Sequence, residues 1–340
     1  MDELKNQPEH EENHDDEENH DDNQNVPDGT EPENNQKEGK KPAVNAYPVV
    51  SPVAAAFIGL IGGFFLYQVL GGLLTLLVFG FDFEKNADVN GIRLMTMAGQ
   101  ILFILLPALI FAKMFYQDVG TIIRAKLPDF KEIAIFTFGI VILTPLLQSY
   151  LYIQNHFFDL WAQNSEVIRE VKIFFDSVNE VVEKTYGNLL SASNIFEGLF
   201  VVAAVAIVPA ICEEVMFRGF IQKSFEFKIK PVWAALITAI FFGIYHFNPY
   251  GVIPLIVLGF YFGFAAYMSN SIIVPVILHF FNNFTAVMLY FIVGNEDLIK
   301  STTTEPIDLG SSVFMFAVLL ALFGGVILLI KRYYSQVRNV

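Results

Sequence analysis

Cysteine is almost absent from this 340-residue chain: Cys212 stands alone, so neither an intramolecular disulfide nor a thiolate zinc cage is available. Charge is scarce as well. Only 16% of residues are charged while 54% are hydrophobic and 35 are Phe, a composition too apolar for an ordinary soluble domain. The net charge of −14 sits mostly in residues 1–45, where 15 Asp and Glu oppose 4 Lys. The rest of the chain carries 20 acidic and 17 basic residues, so the low pI describes a tail and says nothing of the body's partners. No nucleic-acid partner is expected. Several hydrolase signatures are missing too: there is no GxSxG, no HExxH inside an apolar run, and no Asp inside one. Cys212 lies in apolar sequence beside a carboxylate, which makes a poor nucleophile, so it reads as a small packing residue.

The tail, Met1 to about Asn45, is built from Glu, Asp, Asn, His and Gln and has too little apolar surface to offset the entropy of ordering. It is expected to be disordered. It repeats the hexapeptide EENHDD at 11–16 and 17–22 and contains an HExxH match at His10, Glu11 and His14. That match lacks the flanking apolar face a zinc-binding helix needs. The chain's first residues also lack the basic and apolar regions of a secretory signal, so the first apolar run is expected to remain as an anchor.

After Pro42 apolar runs of about the ~20 residues needed to cross a bilayer recur. Eight are expected, near 54–79, 93–115, 133–153, 195–222, 232–248, 252–268, 272–294 and 311–330, with the fifth and sixth an alternative re-entrant pair. Backbone groups cannot go unsatisfied in lipid, so the runs read as helices: an all-α polytopic membrane bundle of about eight transmembrane helices behind an acidic tail. Residues 156–186 place Val167, Val171, Phe174, Phe175, Val178, Val181 and Val182 at helical spacing among charges, an amphipathic helix. Four regions follow: the tail at 1–45, N-terminal helices with the amphipathic connector at 46–192, a core at 193–294, and a last helix with a basic C-terminus at 295–340. Arg124, Lys126 and Lys131, then Lys223, Lys228 and Lys230, then Lys331 and Arg332 fall on one side of an eight-span topology. Both termini of a multi-pass cell-membrane protein would then be cytoplasmic, with membrane lipid as a partner.

The fourth run, IVPAICEEVMFRGFI, puts two carboxylates and a guanidinium inside an apolar helix, each costing roughly 2.5–3.5 kcal/mol at the bilayer centre. Glu214 and Arg218, four residues apart, can pair on one face. Glu213, about 100° around the helix, has no basic partner at that spacing and is suited to acid–base work. Pro209 removes a backbone donor one turn earlier. Only His246 and His279 are histidines within expected spans, and Asn283 shares a helix face with His279 whereas Asn282 points elsewhere. An imidazole and a carboxamide side by side can stabilise an oxyanion. Glu213, His246 and His279 could alternatively ligate zinc.

In order, EEVMFR at 213–218, FGIYH at 242–246 and HFFNN at 279–283 match the patterns EExxxR, FxxxH and HxxxN. Together they resemble the CPBP family of intramembrane proteases, which includes the type II CAAX prenyl endopeptidases and bacteriocin-processing or immunity proteins. The resemblance covers roughly 195–290. It implies an eight-helix bundle with a cytosol-accessible cavity and a membrane-anchored or prenylated peptide substrate. It also implies a water nucleophile activated by Glu213, held by His246, with His279 and Asn283 at the oxyanion and Glu214 and Arg218 in support. It favours a metal-free glutamate mechanism over zinc. The other functions open to such a sequence are an immunity-type binder that kept the fold and an ion-coupled transporter, the latter disfavoured because no inverted repeat is evident.

Overall fold

The computed structural model describes residues 50–80, 88–293 and 308–338. The acidic tail with its HExxH match, and most of the loops at 80–92 and 295–310, lie outside the described residues. Among the described residues every regular element is helical. Seven of the described helices are long and apolar enough to cross a membrane: α1 (Pro52–Phe79), α2 (Val89–Tyr116), α4 (Phe130–Asn164), α6 (Ile195–Glu226), α8 (Val252–Ser269), α9 (Ile273–Val293) and α10 (Leu309–Arg338). Between them lie a short turn of helix, α3 (Val119–Ile122), the connector α5 (Glu166–Leu190) and α7 (Pro231–Tyr245). The protein is a multi-pass integral membrane protein built as a helix bundle.

Two expectations are corrected. The fifth apolar run is helical but α7 has only 15 residues, about 22 Å at ~1.5 Å per residue, short of the ~30 Å hydrocarbon layer. Pro231 opens it, and Phe247 in the left-handed region (φ 49°) stops it. The amphipathic segment is also divided. Helix α4 continues to Asn164, Ser165 breaks it in an extended conformation while its hydroxyl caps Ile168, and α5 starts afresh at Glu166.

The apolar packing falls into two main clusters. One joins α1, α2, α6 and α7 around Leu60, Ala108, Phe220 and Phe242; the other joins α4, α8, α9 and α10 around Phe136, Phe262, Leu278 and Ile330. Helices α7 and α8 meet across the seam through small residues one turn apart. A Cβ on Gly259 would come within 3.5 Å of the Ala239 Cα, and one on Gly263 equally close to the Ala235 Cα. Small residues at this spacing let helix backbones approach closely in a membrane.

The basic loops gather at one end of the bundle. Ile272 donates its N–H to the Arg124 carbonyl (3.0 Å), Ser271 Oγ donates to the Lys126 carbonyl (2.5 Å), and Arg124 pairs with Glu226. Tyr334 near the end of α10 donates to Glu132 at the start of α4 (2.5 Å), and Phe57 at the start of α1 packs on Phe225 (5.4 Å between rings). At the other end Arg93 grips the carbonyls of Leu189 and Ser191 at the close of α5. The turn after α7 is held there by Tyr250, which donates to Asp176 of α5 (2.5 Å). Burial, reinforced by that carboxylate, pushes the Tyr250 phenol far above its ordinary range, so it remains a donor.

The α7–α8 contact is testable. In Gly243→Ala the new Cβ would stand 2.6 Å from Ile256 Cγ1 and 2.9 Å from the Val252 carbonyl oxygen, whereas nothing lies within 4 Å at Gly324. Gly243→Ala is expected to destabilise the bundle by about 1–3 kcal/mol. Thermal unfolding in detergent should show a lower midpoint for it than for Gly324→Ala; equal midpoints would refute the close crossing.

Candidate active site

Helix α6 supplies three of the six candidate residues, and it is not a regular α-helix. Its central segment Val208–Glu214 lies between two π-helical turns, Val202–Ile207 and Val215–Ile221. Pro209 has no N–H to offer the carbonyl of Val205 four residues back. That carbonyl accepts instead from Asn283 Nδ2 of α9 at 3.0 Å. The proline thus creates the acceptor that anchors Asn283. Asn282, expected to point away, in fact donates to Asn283 Oδ1 (3.2 Å) and accepts from Thr144 of α4 (3.3 Å). A helix wheel separates neighbours by about 100° but does not fix where a flexible amide ends.

Glu214 and Arg218 form the expected pair, and both are completely buried. Arg218 Nη1 donates to Glu214 Oε1 at 2.8 Å, and Nη2 donates to the Gly259 carbonyl of α8 at 3.1 Å. The guanidinium lies over the Phe242 ring of α7, 4.3 Å from its centroid, and is also near Phe262 of α8 (5.4 Å). His279 Nδ1 lies 2.8 Å from the same Glu214 oxygen, and its ring stacks on Phe262 at 5.3 Å. An ionised carboxylate only accepts, so Nδ1 carries the proton. One carboxylate oxygen therefore takes donors from two helices.

Glu213, around the same helix, faces a different group of residues. Its Oε1 accepts from Gln100 Nε2 of α2 at 3.0 Å, and its Oε2 is 4.0 Å from His246 Nε2. His246 Nδ1 is 2.6 Å from the Phe242 carbonyl, which can only accept, so Nδ1 is the donor and Nε2 of the neutral ring an acceptor. A separation of 4.0 Å is too long for a direct hydrogen bond, and both facing atoms are acceptors. One water with ~2.8 Å contacts to each would bridge them at an angle of about 90°. The side chains of His246 and Glu213 keep 24% and 12% of their exposure, against 4% and 0% for His279 and Glu214. Of the two pairs, Glu213 and His246 are the less enclosed, although Glu213 Oε2 itself is buried. Tyr67 of α1 and Tyr186 of α5 also face Glu213.

The structure thus joins Glu213 with His246, and Glu214 with Arg218 and His279, while Asn283 meets α6 earlier at Val205. Phe242 touches both imidazoles, with ring centroids 4.6 Å from His246 and 6.0 Å from His279. Among the described residues no three His, Cys, Asp or Glu side chains are grouped as a metal ion would need. Cys212 is buried in the apolar core as a packing residue. Gln100 was not singled out from sequence, although a lone carboxamide before the run ILFILLPAL was a signal of the same kind that marked Glu213.

Removing one member of a buried ion pair leaves an uncompensated charge, at a cost of about 3–5 kcal/mol. Arg218→Leu is therefore expected to destabilise strongly, and Glu214→Leu in the same chain to recover part of the loss. Denaturant unfolding of the single and double variants in detergent checks this. A single variant as stable as the parent would show that the pair does not hold the bundle.

Residues 195–285 match the family described as type II CAAX prenyl endopeptidase Rce1-like. No curated protein and no solved structure matches the chain. The matched stretch contains Glu213, Glu214, Arg218, His246, His279 and Asn283 and agrees with the extent expected from the three motifs. That part of the chain is accordingly similar to the Rce1-like type II CAAX prenyl endopeptidases.

Proposed function

We propose that the protein hydrolyses a peptide bond of a prenylated, membrane-anchored substrate by a metal-free mechanism in which Glu213 activates water. The observation that carries this reading is the 4.0 Å gap between two facing acceptors, the buried Glu213 Oε2 of α6 and Nε2 of His246 after α7. A water donating one hydrogen to each keeps a lone pair for the scissile carbonyl. Glu213 takes the proton as the O–C bond forms and returns it to the amine as the C–N bond breaks, so one carboxylate serves as base and then acid. No covalent acyl intermediate is required.

The oxyanion role of His279 sets a condition. With Nδ1–H directed at Glu214, Nε2 can donate only in the imidazolium form, and Glu214 beside it offsets that charge. Asn283 spends one amide hydrogen on Val205 and keeps the second for the oxyanion. Glu214 and Arg218 act by holding His279. The basic end of the bundle is taken as cytoplasmic in the cell membrane because Arg124, Lys126, Lys223, Lys228 and Lys230 collect there.

The test is cleavage of a farnesylated, internally quenched peptide ending in Cys-aliphatic-aliphatic-X by the purified protein and by Glu213→Gln, each with and without chelator. The expected result is cleavage by the parent that chelation leaves intact, and a loss of at least about 10²-fold in Glu213→Gln. Equal cleavage by both proteins would end the assignment of Glu213. Loss on chelation with recovery on adding zinc would replace the metal-free mechanism. An inert parent would favour an immunity-type binder.

A further inference from the structure

Gln100 lies outside all three motifs and outside residues 195–285, on a helix that neither the motifs nor the family match reaches. It is nonetheless 95% buried, with 5% of its surface exposed, and its Nε2 donates to Glu213 Oε1 at 3.0 Å. The second carboxylate oxygen, Glu213 Oε2, is buried and has no hydrogen-bond partner among the described residues, and the Tyr67 hydroxyl of α1 also meets the Gln100 amide. Burying a carboxamide in an apolar helix costs free energy unless its groups are used. This one is spent on a carboxylate of another helix. Locally, Gln100 is the last residue before the π-helical turn Ile101–Leu105, an irregularity of the kind that accompanies functional sites.

We propose that Gln100 is a positioning residue for Glu213: its amide holds Oε1, fixes the rotation of the carboxylate, and leaves Oε2 directed at His246 and the nucleophilic water. The inference rests on the protease reading above for its catalytic consequence, but the contact itself is independent of any substrate. A carboxylate in a chamber has two equivalent oxygens and free rotation about its last bond. Pinning one oxygen removes that freedom and specifies which oxygen works as the base. The other ionisable or charged groups facing Glu213 are Tyr67 of α1, Tyr186 of α5, His246 after α7, and Cys212 and Arg218 on its own helix.

Two variants test it: Gln100→Met, which keeps the shape and removes the donor, and Gln100→Glu, which replaces the donor by a second carboxylate. On the farnesylated quenched peptide, Gln100→Met should lower kcat by about 10-fold to 10²-fold with KM changed less than about 2-fold. The acid limb of its pH profile should move up by about one pH unit, the size expected for losing one hydrogen bond to a charged group. Gln100→Glu should move it further in the same direction, because two carboxylates resist joint ionisation. A purely structural role would lower activity at every pH without moving the limb. Infrared difference titration of the protein in nanodiscs, parent minus Glu213→Gln, isolates the Glu213 carboxyl and repeats the measurement without substrate. If the parent cleaves nothing, the protease reading falls while this titration still decides on Gln100. If Gln100→Met does not fold, Gln100→Glu is read in its place. An unchanged Glu213 titration in a folded variant overturns the proposal.

Discussion

Glu214 Oε1 is the atom on which the arrangement of the core depends. It accepts from Arg218 on its own helix and from His279 on α9, while Arg218 continues to the Gly259 carbonyl on α8 and stacks on Phe242 of α7. Four helices are tied to one buried charge, at the seam between the two apolar clusters. Lipid offers no hydrophobic force to drive helices together, so packing and interhelical polar contacts must specify how they meet. Displacing any of the four helices would leave a guanidinium or carboxylate unpartnered where neither can be solvated. The ion pair sets geometry more than it adds stability, in keeping with the small or negative net worth of buried pairs.

Around this knot the helices are interrupted by π-helical turns. One in α1 (Phe65–Gly71) contains Tyr67, one in α2 follows Gln100, and the two in α6 contain Val205 and Arg218. Each of these residues faces or bonds a member of the site. A π turn inserts a residue and so rotates the face that follows it, which changes the partners available to the next side chain. Pro209 shows the local cause in one case: the donor it lacks leaves the Val205 carbonyl for Asn283.

The knot also separates the two adjacent glutamates into different tasks. Glu214 is enclosed and gives one oxygen to donors from two helices, whereas Glu213 keeps partial exposure, one oxygen bonded to Gln100 and one that faces His246. The two carboxylates, adjacent in sequence, thus sit in different surroundings because the helix turns them about 100° apart.

The helical character of the chain, the number of long apolar runs to within one, the pairing of Glu214 with Arg218 and the standing apart of Glu213 were all legible from sequence. Each follows from local rules: apolar run length, the absence of water for backbone groups, and the four-residue spacing of a helix face. The length of α7 was not legible, because its apolar pattern ran on to His246 while the stop is made by backbone at Phe247. The partner of His279, the contact between Asn282 and Asn283, and the whole contribution of Gln100 were decided by tertiary structure alone. These contacts join residues from 65 to 138 positions apart, or turn on a side-chain rotation, and no periodicity along the chain encodes which faces of two helices meet. Sequence thus determined which polar groups must lie inside apolar helices; the crossing of the helices determined which of them touch.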